Sequence, residues 1–272
     1  MPEVSNQALA EAPEDEWRDY EDFAAGIDTY RLPNADLSGR ALRVNLIDGP
    51  DITLRFQDAS TVTWEATGTV NAPPGTDDPY DAVPIRDDVF YVHLPLTSVD
   101  RQALTIIFST TTHRALGVHT VIQPEPIPEM PQVTQEFWSG ITDGGEPAGE
   151  APGPSRYLIG KRNIYRYSPA HLYEHVYMSS QRYAWQCLQG AQRGHGDMDL
   201  STVWKFQEEL YLFCFREFRI PVASVWLHDL GYALRTTGNF LGLNGDGEPE
   251  HSRAGGHIYP LGSVAYPDVQ PV

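Results

Sequence analysis

The sequence predicts an all-β protein, two fused antiparallel β-barrels preceded by a short helix. Three observations predict it. Apolar residues recur at every second position in short runs. Turn residues separate the runs. The whole pattern occurs twice, on either side of a proline- and glycine-rich stretch. A meander that long either closes on itself or leaves its edges exposed. A closed barrel of about eight strands is filled by its own side chains or holds one small ligand. A single large sandwich is the alternative, and the proline-rich break argues against it.

Residues 1–36 are acidic. Trp17, Tyr20 and Phe23 are spaced by three, so they share one helical face and predict a short amphipathic helix packed on the body. For residues 1–13 an acidic tail without fixed structure is the competing reading. Residues 37–122 form the first predicted barrel. Leu42, Val44 and Leu46 alternate, as do Ile52, Leu54 and Phe56, then Val62 and Trp64. Residues 89–94 and 103–108 continue the series, and Asp48-Gly49 marks a hairpin. Residues 123–154 are rich in proline and glycine and read as a linker, because proline disfavours both helix and central strand. Residues 155–243 form the second predicted barrel, with strands at 163–167, 172–178, 182–189, 209–218, 222–227 and 233–241. Residues 244–272 read as a C-terminal loop and tail. The halves resemble each other: residues 61–68 lie on 182–190 with one residue of slack, and residues 89–93 lie on 209–213.

The formal charge of −18 disfavours nucleic acid and anionic lipid as partners. No stretch approaches the ~20 apolar residues of a spanning helix. The start, Met1-Pro2-Glu3, lacks a basic segment followed by an apolar one, and Cys187 and Cys214 are the only cysteines. A disulfide framework is therefore not expected, and the reduced cytoplasm is the expected compartment. Both cysteines sit in apolar runs and read as small buried hydrophobes.

The densest chemistry lies at 164–177. Tyr165 and Tyr167 are two apart and share a strand face, as do Tyr173, His175 and Tyr177 on the next strand. Phenols on an inner barrel face give a wall apolar in body and polar at the tip, suited to an aromatic ligand with polar substituents. Ordinary sheet aromatics facing the other half or solvent are the alternative. Tyr211, Phe213, Phe215 and Glu217 alternate, so a carboxyl ends an aromatic row. Desolvation raises the pKa of such a group and makes it a proton donor near neutrality. A rim carboxylate paired with Arg216 or Arg219 is the competing reading. His171, Glu174 and His175 have the wrong order and setting for a metal helix, so no metal is expected. No phosphate loop or nucleophile elbow occurs, and no cofactor is expected.

The second half, through Tyr165-x-Tyr167, Tyr173-Glu174-x-x-Tyr177, Trp185 to Gly190 and Tyr211 to Glu217, resembles the phenolic acid decarboxylases. These are lipocalin-like barrels that release carbon dioxide from p-hydroxycinnamic acids without a cofactor. The resemblance implies that Tyr165 and Tyr167 hold one polar end of a substrate and that Glu217 transfers a proton. It implies a substrate-binding wall of Tyr173, His175, Tyr177, Trp185 and Tyr211. His195 falls where that family carries an arginine, with Arg193 two residues earlier. As a whole the chain resembles the MoaF-type proteins, which join two calycin-like units. The cues are Gly39-Arg40, Asp48-Gly49, residues 61–64 and 160–167, Tyr173-Glu174-His175 and residues 235–238. The two resemblances imply either a cofactor-free lyase or isomerase acting on a small phenolic acid, or a binding protein for an aromatic amine or a molybdenum-cofactor-pathway intermediate. The expected partner is a small aromatic ligand, and pairing of two copies into a homodimer stays open.

Overall fold

Buried and exposed side chains alternate in the strands from Ala41 onward, and among the described residues of the computed structural model the elements from Ala41 to Ser263 are all strands. The structure describes residues 24–68, 70, 72–231, 233–266 and 268–272. Trp17, Tyr20 and Phe23, and so the helix predicted on them, lie outside the described residues. Within the described part of that segment, residues 25–30 form turns and 31–37 run as an irregular strap. No described helix is long and apolar enough to cross a membrane.

Nine strands make the first sheet: β1 Ala41–Leu46, β2 Asp51–Phe56, β3 Thr61–Thr67, β4 Ala72–Pro79, β5 Asp81–Arg86, β6 Val89–Pro95, β7 Gln102–Ser109, β8 Arg114–Ile122 and β9 Val133–Thr142. Their order is β4-β3-β2-β1-β9-β8-β7-β6-β5. Each strand of the meander pairs antiparallel with its neighbour, and β9 returns to β1. The β1–β2 hairpin turns at Asp48, whose φ of 58° suits an aspartate in a tight turn. Gly49 is required there because a Cβ would lie 2.7 Å from the Trp138 ring.

The second sheet contains β10 Gly153–Pro154, β11 Lys161–Ser168, β12 His171–Tyr177, β13 Arg182–Gln189, β14 Gly196–Gln207, β15 Leu210–Arg216, β16 Val222–Asp229, β17 Arg235–Leu243 and β18 Pro249–Ser263. Here the ring is complete. β18 pairs with β11, and β14 pairs with β13 through its first half and with β15 through its second. Closure of this kind removes the exposed edges a long meander would otherwise carry.

Two segments correct the sequence reading. The stretch 123–154 holds β9, which joins β1 to β8 in the first sheet, so its first proline run is only the β8–β9 loop. The stretch 244–272 holds β18, which closes the second barrel. Prolines and glycines conceal both.

The barrels meet through aliphatic outer faces. Ile107, Leu116 and Val118 pack with Leu212, Cys214, Val225 and Leu227. The buried Tyr91 hydroxyl donates to the Val225 carbonyl at 2.9 Å. Arg86 grips Asp229 with two hydrogen bonds, Nε to Oδ2 at 3.0 Å and Nη2 to Oδ1 at 2.9 Å. Such a forked pair fixes orientation as well as adding attraction. Tyr91→Ala would empty this junction, and an unfolding free energy lower by about 3–5 kcal/mol is expected, read from urea titrations.

Candidate functional site

The interior of the second barrel is aromatic. Alternation on β11 turns Tyr165 and Tyr167 inward, and on β12 it turns Tyr173, His175 and Tyr177 inward; all five are buried. A cavity of about 40 Å³ lies among them. Its apolar walls are Tyr167, Tyr173, Trp185, Phe215, Trp226 and Phe240. Polar groups converge on it from Tyr183, His175, Gln192 and Glu217. Ile27, in the turns that lead into the strap, completes the lining. The strap is held over the barrel by Tyr30 N–H donating to the Tyr167 carbonyl at 3.0 Å and by Arg235 Nη2 donating to the Tyr30 carbonyl at 2.6 Å. Gly238 makes room for the Trp226 ring, which a Cβ would meet at 2.6 Å.

Several polar atoms in the cavity are unsatisfied. Trp226 Nε1 and His175 Nδ1 have no hydrogen-bond partner. The Glu217 carboxyl, just past the end of β15, makes no hydrogen bond among the described residues. Its backbone N–H donates to the Val222 carbonyl at 3.0 Å, which fixes the turn into β16. Burial pushes its pKa well above the usual carboxylate range, and nearby Asp199 and Asp197 push it further. Both effects favour the protonated form of the carboxyl. Asp199, mainly desolvated, is pushed up to about 6 even though the Trp185 indole donates to it at 2.9 Å. Burial drives His175 down to about 3, so its imidazole is neutral.

Of the residues singled out in the sequence, the fold brings Tyr167, Tyr173, His175, Trp185 and Glu217 together on this cavity. It does not bring the others. Tyr165 lies deeper, its hydroxyl bonded to Tyr177 at 2.5 Å and accepting from Asn163 Nδ2 at 3.3 Å. Tyr177 continues that chain to His228 Nε2 at 3.4 Å. Both tyrosines share the face with the cavity residues but sit at another depth. Tyr211 stacks on Tyr157 with ring centroids 4.4 Å apart, outside the cavity lining. Arg193 is exposed on the loop after β13, and the half-buried His195 is held in that loop by its backbone, so neither lines the cavity. Arg216 bonds Gln135 and Thr202, and Arg219 bonds Asp197, which removes the rim-pair reading of Glu217. His171 bonds Ser168, and Glu174 points outward to Arg162 and Gln186, so that acidic–histidine run diverges. Among the described residues no three His, Cys, Asp or Glu are arranged to hold a metal.

Sequence models of the MoaF N-terminal domain and the MoaF C-terminal domain match residues 15–124 and 152–264. Protein MoaF of Klebsiella aerogenes is 31% identical over 204 residues, covering 71% of this chain and 73% of that protein. The chain belongs to the MoaF family. Among solved structures, a putative β-lactamase from Burkholderia vietnamiensis overlaps 40% of this chain and 99% of its own, with 14% identity and a TM-score of 0.34. That likeness carries no weight for fold or function.

The two MoaF domains repeat one feature and differ in their interiors. Trp64 donates to Asp78 at 2.9 Å, and Trp185 donates to Asp199 at the same distance. Each partner in the second pair stands 121 positions after its counterpart (185 − 64 and 199 − 78). At that offset Leu46 becomes Tyr167, Ile52 becomes Tyr173, Leu54 becomes His175, Val62 becomes Tyr183 and Leu96 becomes Glu217. The first MoaF domain thus carries aliphatic side chains at these five positions, in a core that also holds Phe56, Trp64, Tyr80, Phe108 and Trp138. Its Asp78 is also saturated, by Trp64, Thr97 Oγ1 at 2.7 Å and Ser98 N–H at 2.8 Å. Asp199 has Trp185 and the Phe218 N–H at 3.3 Å, and lies in the field of Glu217. Tyr183, Gln192, Trp226, Phe240, Ile27 and Asp199 were not singled out as site residues from sequence. The Trp–Asp repeat was the signal that could have found Asp199.

Proposed function

We propose that the second barrel binds a small aromatic compound whose polar end is an amine, with Glu217 exchanging a proton with it. One observation carries this reading. The cavity is walled by aromatic rings and ends in a buried carboxyl, and among the described residues no lysine or arginine lines it. Aromatic faces attract an ammonium, and a carboxyl balances its charge. An anionic ligand would meet Glu217 and Asp199 with no cation to compensate.

Binding is linked to protons. An ammonium stabilises the ionised carboxylate, so Glu217 releases its proton as the amine arrives. Affinity for an amine therefore rises with pH, by up to about tenfold per unit, until the carboxyl of the free protein ionises. Glu217→Gln keeps the shape and removes the charge. It should weaken tyramine binding about tenfold or more and abolish proton release, measured by calorimetry in buffers of different ionisation enthalpy. Unchanged affinity in this variant would contradict the role of Glu217.

The cavity as it stands accommodates only a few water molecules. A ring therefore seats by displacing a side chain. Ile27 is the lining residue on the segment that precedes β1, in the turns at 25–30, and is tied to the barrel by its carbonyl, which accepts from the Gly255 N–H at 3.4 Å. Ile27→Ala is expected to raise the association rate of tyramine, followed by quenching of Trp185 and Trp226 fluorescence in stopped flow.

A second reading is a carbon–carbon lyase acting on a p-hydroxycinnamic acid. A carboxyl whose protonated form is favoured, near the Tyr173 and Tyr183 phenols, supports it. Glu217 would give that proton to the side-chain carbon, and carbon dioxide would leave with its bonding electrons returned to the ring system. Under this reading Glu217→Gln binds p-coumarate but releases no carbon dioxide.

A further inference from the structure

A second polar cleft, about 310 Å³, lies between the barrels; His93, His251, Asp81, Arg253 and Asn34 line it. It does not share a lining residue with the aromatic cavity. His93 stands on β6 directly opposite Asp81 on β5, with 2% of its surface exposed. Its Nδ1 lies 3.1 Å from Thr105 Oγ1. The Thr105 hydroxyl in turn donates to Asn239 Oδ1 at 3.4 Å, an acceptor that the Tyr91 hydroxyl also reaches. Thr105 spends its proton on Asn239, so its oxygen accepts from His93 Nδ1–H. That fixes the tautomer and leaves Nε2 with a bare lone pair. His93 Nε2 is buried and has no partner.

Across the cleft His251, on β18, presents a second orphan: its buried Nδ1 also has no partner. The two rings have centroids 5.8 Å apart with planes inclined at 50°. Burial keeps both imidazoles neutral, lowering His251 to about 4. A metal bound at about 2.0–2.1 Å from each of two imidazole nitrogens puts their centroids about 5–6.5 Å apart. Metal-binding histidines commonly donate their other ring N–H to a fixed partner, as His93 does to Thr105. Of the charged groups nearby, Arg253 donates to Asp81 at 3.1 Å and Arg31 stands 3.8 Å from it, while the field of Asp78 reaches His251. The guanidiniums are thereby offset by carboxylates.

We propose that His93 Nε2 and His251 Nδ1 together bind one divalent first-row transition-metal ion at the junction of the barrels, with water completing its coordination. Among the described residues no third metal-binding side chain stands with them, so the ion is exchangeable. It clamps β6 of one barrel to β18 of the other.

The test uses the full chain, stripped with chelator and dialysed, then titrated with Zn²⁺ and Cu²⁺. One ion per chain is expected, with Cu²⁺ the tighter, a raised melting temperature, and a Cu²⁺ paramagnetic resonance spectrum carrying two nitrogen couplings. His251→Phe, which keeps a ring of similar shape, should weaken binding about tenfold or more and reduce the couplings. His93→Gln should do the same, and His113→Ala should leave binding unchanged. The proposal is overturned if the native chain binds neither ion, or if a folded His251→Phe variant binds as tightly as the native chain.

Discussion

Acidification from pH 7 to pH 5 is expected to cost this protein several kcal/mol of stability. Five histidines have strongly lowered pKa values: His93 and His228 well below the ordinary value, His119 and His251 at about 4, and His175 at about 3. Burial is the first cause in each. The unfolded chain takes up these protons near pH 6.5, whereas the folded chain does not. Their contribution is intact above pH 6.5 and lost as pH falls toward the folded values, about 1.4 kcal/mol per unit for each histidine. Glu217 and Asp199 act in the opposite sense, because their folded values are raised. Their contribution is fully present below the unfolded carboxylate pKa and is lost as pH rises through the folded ones. Five groups outweigh two, so the net slope between pH 6.5 and 4 is destabilisation by acid. Urea unfolding at pH 7.5 and at pH 5 measures it, and equal midpoints would contradict the burial of these rings.

Trp226 gives the second large effect. Its ring is 1% exposed and packs between Tyr167, at 5.1 Å, and Phe240, at 5.4 Å. Trp226→Ala removes one of the two tryptophan walls of the cavity, and a loss of about 3–5 kcal/mol is expected. Trp226→Phe separates packing from polarity. It keeps much of the ring and deletes an indole N–H that has no partner, so its stability cost should be much smaller, since an unmade buried hydrogen bond is itself unfavourable by about 1–3 kcal/mol. Equal losses in the two variants, read from urea titrations, would contradict this division.

Strands with one buried face were legible because alternation records burial directly. Val44 and Leu46, or Ile52 and Leu54, can alternate only if one face is inside. β4 and β5 were hidden by Pro73, Pro74 and Pro84. Both strands lie at the ends of the first sheet's order, where a missing N–H is tolerated. β18 was hidden by Gly255 and Gly256, which are flat because the strap and β11 lie against them; a Cβ would meet Arg31 Cα at 2.8 Å and the Arg166 carbonyl at 2.1 Å. The site was legible by face but not by depth. Tyr165, Tyr177 and Tyr211 have the same parity as their cavity-lining neighbours, yet lie at other levels of the barrel. Arg193 and His195 were placed by resemblance, and the loop after β13 keeps them off the lining. Trp226 belongs to no motif, and only closure of the barrel brings it opposite Tyr167.

The two barrels differ most in their interiors. Both domains hold the Trp–Asp pair, and the positions that are aliphatic in the first are aromatic or acidic in the second. The most direct test compares tyramine and p-coumarate, which share a phenol and differ in the charge of the far end, by calorimetry at pH 6 and pH 8. Tyramine should bind more tightly at pH 8 than at pH 6 and release protons, while p-coumarate binds weakly and gains nothing from the rise. Tighter binding of p-coumarate at both pH values, with no proton release by tyramine, would contradict an acidic, cation-free amine site.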